Sequence, residues 1–407
     1  MRTVSAIKNI NSTLIVYGFN MVLQFIIRFV LLYYLSIEYL GLNGLFDNIL
    51  TVLSLTELGI GPAIIFSLYA PLANHDLETA KSIMRIFKKA YIYIGTLILF
   101  LGLCISPFVQ HLIKVPPNIA YLNIFFLLFV IDTGISYFYS YKKCLLIADQ
   151  KQYIANYYRG ITQLIGSLFQ IALVILTHSF WVYIILRICM TFCENFLIAR
   201  KANRLYSFLN EKNIQPLNKD IYQSIIRNIK ALILHKIGGV TVFGTSNIIL
   251  SKFVGLSAVA LYTNYYLIIN GIDKLSDQVF NALKASVGNL NESHDDAHKL
   301  VIFKRLEFMT AYLACFICSN LYLLLNPFIT IWLGNSYRFD ESIVLWMVIN
   351  FYLMFMRKGV LVFKDAMGLF WQNRYMSLIE ALINLGSSII LVQYFDVWGV
   401  LLAMFIS

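Results

Sequence analysis

The chain has 407 residues, of which 59% are hydrophobic, 15% aromatic and only 13% charged, and its formal net charge is +11. Soluble domains of this length need a polar face on nearly every helix, so the composition excludes them and places the chain in a lipid bilayer. The basic excess does not point to nucleic acid, because 26 of the 32 Lys and Arg fall in alternate connections between apolar runs, which is the positive-inside pattern and sets the N-terminus in the cytoplasm.

Apolar runs recur at about 14–36, 41–68, 90–113, 119–141, 156–177, 181–199, 237–256, 258–283, 308–333, 341–363, 375–395 and from 397. Most are long enough to cross roughly 30 Å of hydrocarbon as a helix. The first follows Arg2 and Lys8 like a signal peptide, but it contains Arg28 and lacks a small-residue cleavage site, so it reads as a retained span. A guanidinium at that depth costs on the order of 3 kcal/mol. Either Arg28 faces a water-filled cavity and attracts an anion such as a pyrophosphate, or it snorkels or pairs with an acid on a neighbouring helix.

The second run carries Asp47 and Glu57 and is interrupted by Gly59-Ile60-Gly61-Pro62. A proline there removes a backbone hydrogen bond and bends the helix, as a hinge for alternating access or as a fixed packing kink. Asp132 lies in the fourth run, and Arg187 and Glu194 in the sixth. The connector 200–236, with eight basic residues around Pro216, is the expected boundary between an N-terminal half (1–212) and a C-terminal half (213–407). Ile221, Ile225, Ile226 and Ile229 share one helical face beside Arg227 and Lys230, which suits the inner membrane surface. Lys274, in the eighth run, has Asp273 and Asp277 beside it to neutralise it, and Glu380 lies in the eleventh. The last run starts near Val397 and stops at Ser407, a rise of only about 16 Å, so it reads as a truncated twelfth span.

The two halves repeat. Gly41, Phe87, Pro107, Tyr153, Gly166 and Trp181 recur as Ala260, Phe303, Pro327, Tyr375, Gly386 and Trp398, at offsets of 216 to 222 residues. Six spans per half, both entering from the cytoplasm, predict an all-α polytopic membrane protein: two six-helix bundles related by a pseudo-twofold axis along the membrane normal. The same offset pairs Glu57 with Asp277. Ionisable residues inside spans are candidates for function. Arg28, Arg187 and Lys274 are therefore candidates for binding an anionic substrate, and Glu57, Asp277, Asp47 and Asp132 for coupling to a transported Na+ or H+. Acids near helix ends can also simply be solvated.

His294 and His298 stand one helical turn apart, but their repeat partner, His75-Asp76, has no second histidine, so a polar helix start is the economical reading and no metal is expected. Cys315 and Cys318 lie in an apolar span with no second pair. No phosphate loop, hydrolase elbow or dinucleotide fingerprint is present, so no cofactor is expected.

The run Leu53-Ser54-Leu55-Thr56-Glu57-Leu58-Gly59-Ile60-Gly61-Pro62-Ala63, the segments Ser246-Asn247-Ile248-Ile249-Leu250-Ser251 and Tyr262-Thr263-Asn264-Tyr265, and Ile331-Trp332-Leu333-Gly334 together resemble polysaccharide repeat-unit flippases of the Wzx type. That family belongs to the multidrug/oligosaccharidyl-lipid/polysaccharide exporter superfamily, and the resemblance covers nearly the whole chain. It implies two bundles forming a V around a cavity that opens alternately to either side. The implied cargo is an undecaprenyl-pyrophosphate-linked oligosaccharide, moved to the outer leaflet of a bacterial cell membrane by an ion gradient. Membrane lipids, a polysaccharide polymerase and glycosyltransferases of the same pathway are the implied partners. Arg28 matches an arginine that relatives carry in the first span, whereas Asn247 stands where they tend to have an acid. Two other readings remain: a cation-coupled multidrug exporter of the same superfamily, and a membrane glycosyltransferase or polysaccharide polymerase. The outward connections are too short to hold sugars in an enzyme's loop, so a transporter and not an enzyme is expected.

Overall fold

The computed structural model describes residues 2–57, 60–115, 119, 121–211, 215–217, 221–223, 225–227, 229, 244–293, 296–367 and 375–407. It is helical throughout, with no strand among these residues. The helices are α1 (Arg2–Tyr34), α2 (Ile37–Leu53), α3 (Ile60–Ala73), α4 (Leu77–Ile105), α5 (Leu122–Ala148), α6 (Gln152–Thr177), α7 (Phe180–Leu205), α8 (Ser246–Phe253), α9 (Leu256–Ser293), α10 (Asp296–Leu333), α11 (Glu341–Ala366) and α12 (Met376–Ile406). Eight of them are long and apolar enough to cross a membrane, and α2 with α3, taken together across a bend, meets the same test of length and composition. This is a multi-pass membrane protein.

Helix ends run past the apolar runs because backbone hydrogen bonding continues beyond the hydrocarbon. α4 begins at Leu77 and not near residue 90, where Asp76 caps it by accepting from the Thr79 N–H at 3.0 Å. The Thr79 hydroxyl and that N–H together hold the Asp76 carboxyl below its ordinary range. The second span bends by 44° between Glu57 and Ile60, across Leu58 and Gly59, which lie outside the described residues. A 3-10 turn, Ser54–Glu57, closes the first arm. Pro62 therefore sits in the first turn of α3, where a proline costs no hydrogen bond, and not in the middle of a helix. His294 and Asp295, the start of the seventh run and much of the connector around Pro216 also fall outside the described residues.

The chain divides into two compact units, Met1–Val240 and Thr241–Ser407. In the first unit α1 packs on α6, α2 on α5, α4 on α5 and α5 on α7. In the second, α8 packs on α12, α9 on α11 and α10 on α11, the same pairings in repeat order. Asn156 ties α6 to α1 by donating to Ser12 Oγ (3.0 Å) and Thr13 Oγ1 (2.9 Å). Small residues allow the closest approaches: a Cβ on Gly102 would strike Val130, and one on Gly166 would strike Met190.

The fifth and sixth spans of each unit are joined almost without a loop. In the first unit His178 takes a left-handed conformation (φ 51°) between α6 and α7. In the second, Asp396 (φ 49°, ψ −127°) interrupts α12, and the chain turns back on itself. Gly399 then lies against the backbone of Leu391 and Val392, and Asn384 reaches Ser407 at 3.3 Å. The run from Val397 is thus a separate helical segment, antiparallel to the one before it.

Candidate functional site

The first unit contains a polar cavity of about 390 Å³ bounded by α1, α2, α5, α6 and α7. Asn43 and Asp47, one turn apart on α2, project to the same side because the helical repeat stacks positions i and i+4. Asp132 comes from α5, Arg187 and Glu194 from α7, Gln163, Ser167 and Gln170 from α6, and Arg28 from α1.

Arg187 organises this site. Its Nε donates to Asp132 Oδ2 at 2.9 Å, one terminal nitrogen donates to Asp47 Oδ1 at 2.8 Å, and the other donates to Asn43 Oδ1 at 3.2 Å. Its guanidinium carbon stands 4.4 Å from the centroid of the Phe129 ring, a cation–π contact that supplies the apolar side of the nest. The planar fork of arginine makes three simultaneous, charge-assisted bonds that a lysine ammonium could not match in this geometry. Asp132 is the most enclosed acid, with its side chain 8% exposed, against 43% for Asp47. Its second oxygen, Oδ1, is buried and has no hydrogen-bond partner among the described residues. The helical hairpin is pinned beside the site by Gln170, which donates to the Tyr183 carbonyl at 2.9 Å.

Of the seven residues singled out from sequence, four meet here: Arg28, Arg187, Asp47 and Asp132. Glu57 sits elsewhere in the first unit and accepts from the Tyr91 hydroxyl at 3.1 Å, with Tyr137 stacked on Tyr91. A Cβ on Gly61 would come within 2.9 Å of the Glu57 carboxylate and 3.0 Å of that hydroxyl, so the glycine makes room for the pair.

In the second unit Asp277 and Asp273 both bind Lys358, the latter at 2.9 Å, and Lys358 is itself only 10% exposed. Lys274 is exposed on the same helix. Lys358 was hidden in the sequence because, beside Arg357, it reads as part of the basic inner end of a span. Arg357 in fact pairs with Glu380 at 2.8 Å. That ion pair lies at the wall of a larger cavity of about 710 Å³, otherwise rich in Met and aromatic side chains such as Tyr266, Met354 and Met404. Asn43 and Tyr91 were missed as well, because neutral polar residues inside apolar runs carry no charge signal. Among the described residues no group of three or more His, Cys, Asp or Glu is arranged to hold a metal ion.

No family model matches the chain, and no curated protein matches it in sequence. Solved structures do share its fold. An inward-facing multidrug resistance MATE family transporter of the MOP superfamily is similar over 96% of this chain and 90% of that one, at 14% identity and a TM-score of 0.67. The lipid II flippase MurJ, in an inward closed conformation, is similar over 97% and 83%, at 13% identity and a TM-score of 0.66. A MATE transporter from Vibrio cholerae is similar over 99% and 93%, at 12% identity and a TM-score of 0.65. At these identities the likeness establishes the fold, which is the one found in these transporters.

Proposed function

We propose that this protein is an ion-coupled, alternating-access exporter that moves an undecaprenyl-pyrophosphate-linked oligosaccharide repeat unit from the inner to the outer leaflet of a bacterial cell membrane, with its N-terminus in the cytoplasm. The observation that carries the reading is the arginine-centred polar cavity buried among spanning helices, because ionisable groups are kept at such depth where they serve a pathway or a coupled ion. Asp47 and Asp132 are the coupling acids, and Arg187, engaged by both, belongs to the coupling network more than to the cargo. Arg28, on the wall of the same cavity, is the residue assigned to the anionic part of the cargo. Fold likeness to a lipid II flippase and the resemblance to repeat-unit flippases support a lipid-linked cargo.

Loss of the gene should make lipid-linked repeat units accumulate on the inner leaflet. Arg28→Ala should stop their export while the amount of protein in the membrane stays the same. Normal export by that variant would remove Arg28 from the mechanism. A second reading, export of amphipathic cations, is favoured by one observation: three carboxylates, Asp47, Asp132 and Glu194, face two guanidiniums in the cavity. It predicts sensitivity to cationic drugs on gene loss with no accumulation of lipid-linked sugar.

A further inference from the structure

The coupling role assigned above leaves the ion unnamed, and the geometry around Arg187 narrows it. A metal cation entering between Asp47 and Asp132 needs their oxygens and must tolerate its neighbours. Arg187 already donates to one oxygen of each and to the Asn43 amide oxygen. A resident positive charge therefore stands within 2.9 Å of both carboxylates. A second cation there would lose those ligands and meet a like charge in a medium where such repulsion is poorly screened.

A proton meets the same charge, but it needs one free lone pair and no shell of ligands, so Arg187 has to give up no oxygen to it. Asp132 Oδ1 is buried, faces no donor among the described residues, and belongs to a side chain more than nine-tenths enclosed on the cavity wall. The titratable and charged groups facing the cavity are Tyr183, Arg187 and Glu194 from α7, Asp47 from α2 and Arg28 from α1, while α6 brings only neutral amides and a serine. On the far side α4 packs Leu99 against α5 at Gly134.

We propose that the ion bound at this site is a proton, that Asp132 Oδ1 accepts it, and that Arg187 acts as a tethered cation that excludes metal ions. The inference rests on the coupling role proposed for the cavity. When the proton arrives the O–H bond forms on Oδ1 and Asp132 becomes neutral, so its charge-assisted bond from Arg187 Nε weakens. Arg187 then stays with Asp47 on α2, and the α5–α7 tie loosens. When the proton leaves, the tie re-forms. Proton binding is thereby linked to how firmly α5 is held to α7.

The test uses ion binding to the purified full chain and needs no cargo, so it can fail or succeed independently of what is exported. Infrared difference spectra over a pH titration should show a protonated-carboxyl band that Asp132→Asn removes and Asp47→Asn retains. The melting temperature of the unaltered protein should respond equally to NaCl and to choline chloride at the same concentration. Arg187→Gln, which removes the tethered charge and leaves the oxygens, should acquire a Na+-specific rise. Arg187→Lys, which keeps the charge and serves if the glutamine variant does not fold, should remain insensitive. A Na+-specific rise in the unaltered protein that Asp132→Asn abolishes would overturn the proposal, as would a titrating carboxyl band that survives Asp132→Asn.

Discussion

Two places in the molecule occupy the same register of the repeat and are built from different chemistry. In the first unit the set is Asn43, Asp47 and Arg187, joined by direct hydrogen bonds. Advanced by 219, 219 and 217 positions, it becomes Tyr262, Tyr266 and Met404 in the second. These too are in contact: both hydroxyls point at the Met404 sulfur, at 3.7 and 3.5 Å, and the two rings stack with centroids 4.3 Å apart. The scaffold thus brings the same three positions together twice. Once the contact is ionic, and once it is aromatic and soft. A second pair behaves the same way, since Glu57 is held by a tyrosine hydroxyl and its counterpart Asp277 by an ammonium. The duplicated helices fix where side chains converge, while the residue types decide what the convergence can bind. The first unit's cavity opposes three carboxylates to two guanidiniums, whereas the larger cavity of the second carries the single Arg357–Glu380 pair among Met and aromatic side chains, which is why coupling is assigned to the first.

Arg187 is the residue on which the first unit's set depends most. Arg187→Ala leaves Asp132, whose side chain is 8% exposed, as a buried carboxylate without its cation, a loss on the order of 3 kcal/mol. The expected outcome is complete loss of transport and a clearly lowered melting temperature. A stable, active variant would show that the first unit's network is ornamental.

An intermediate effect should separate Gly166 from its repeat partner Gly386. A Cβ at 166 would collide with Met190, whereas one at 386 meets nothing within 4 Å. Gly166→Ala should therefore destabilise by roughly 1–3 kcal/mol through overpacking. Gly386→Ala should be neutral or stabilising by about 0.5–1 kcal/mol, since alanine is the better helix former. Thermal denaturation of the two variants in one detergent compares them directly, and equal effects would contradict the packing described.

The smallest effect is expected at Met404. Met404→Leu keeps the volume but gives up two weak O–H···S contacts, so it should cost under about 1.5 kcal/mol and leave transport intact. A loss of transport as large as that of Arg187→Ala would mean that the second unit's site is equally engaged in the cycle.

Much of this was legible in the sequence, because a span needs about 20 apolar residues and any charge within it stands out against that background. Arg28, Arg187, Asp47 and Asp132 were visible for that reason, and they converge. Their partnerships were not visible, since Asp132 and Arg187 lie 55 positions apart and Asp47 and Arg187 140 apart, so that only the packing of α2, α5 and α7 joins them. Lys358 was concealed by the positive-inside pattern itself, where a basic residue at the end of a run is assigned to the membrane surface. Neutral polar groups such as Asn43 and Tyr91 gave no signal above an apolar background. The kinked second span was anticipated at Gly59 to Pro62, although the proline opens the second arm and the break comes just before it.

The reversal at Asp396 has a practical meaning for how the chain is made and handled. Because the fifth and sixth segments of the second unit are separated by a single residue with a positive backbone angle, there is no tether along which the first could settle while the second waits. They must be delivered to lipid together, as one folded fork emerging from the insertion machinery. The tip of that fork offers no room for an epitope, a protease site or a fluorophore. Topology reporters belong instead in the segment Gly334–Arg338, where Gly334 (φ 97°) already breaks helical order and the chain can open to take an insert.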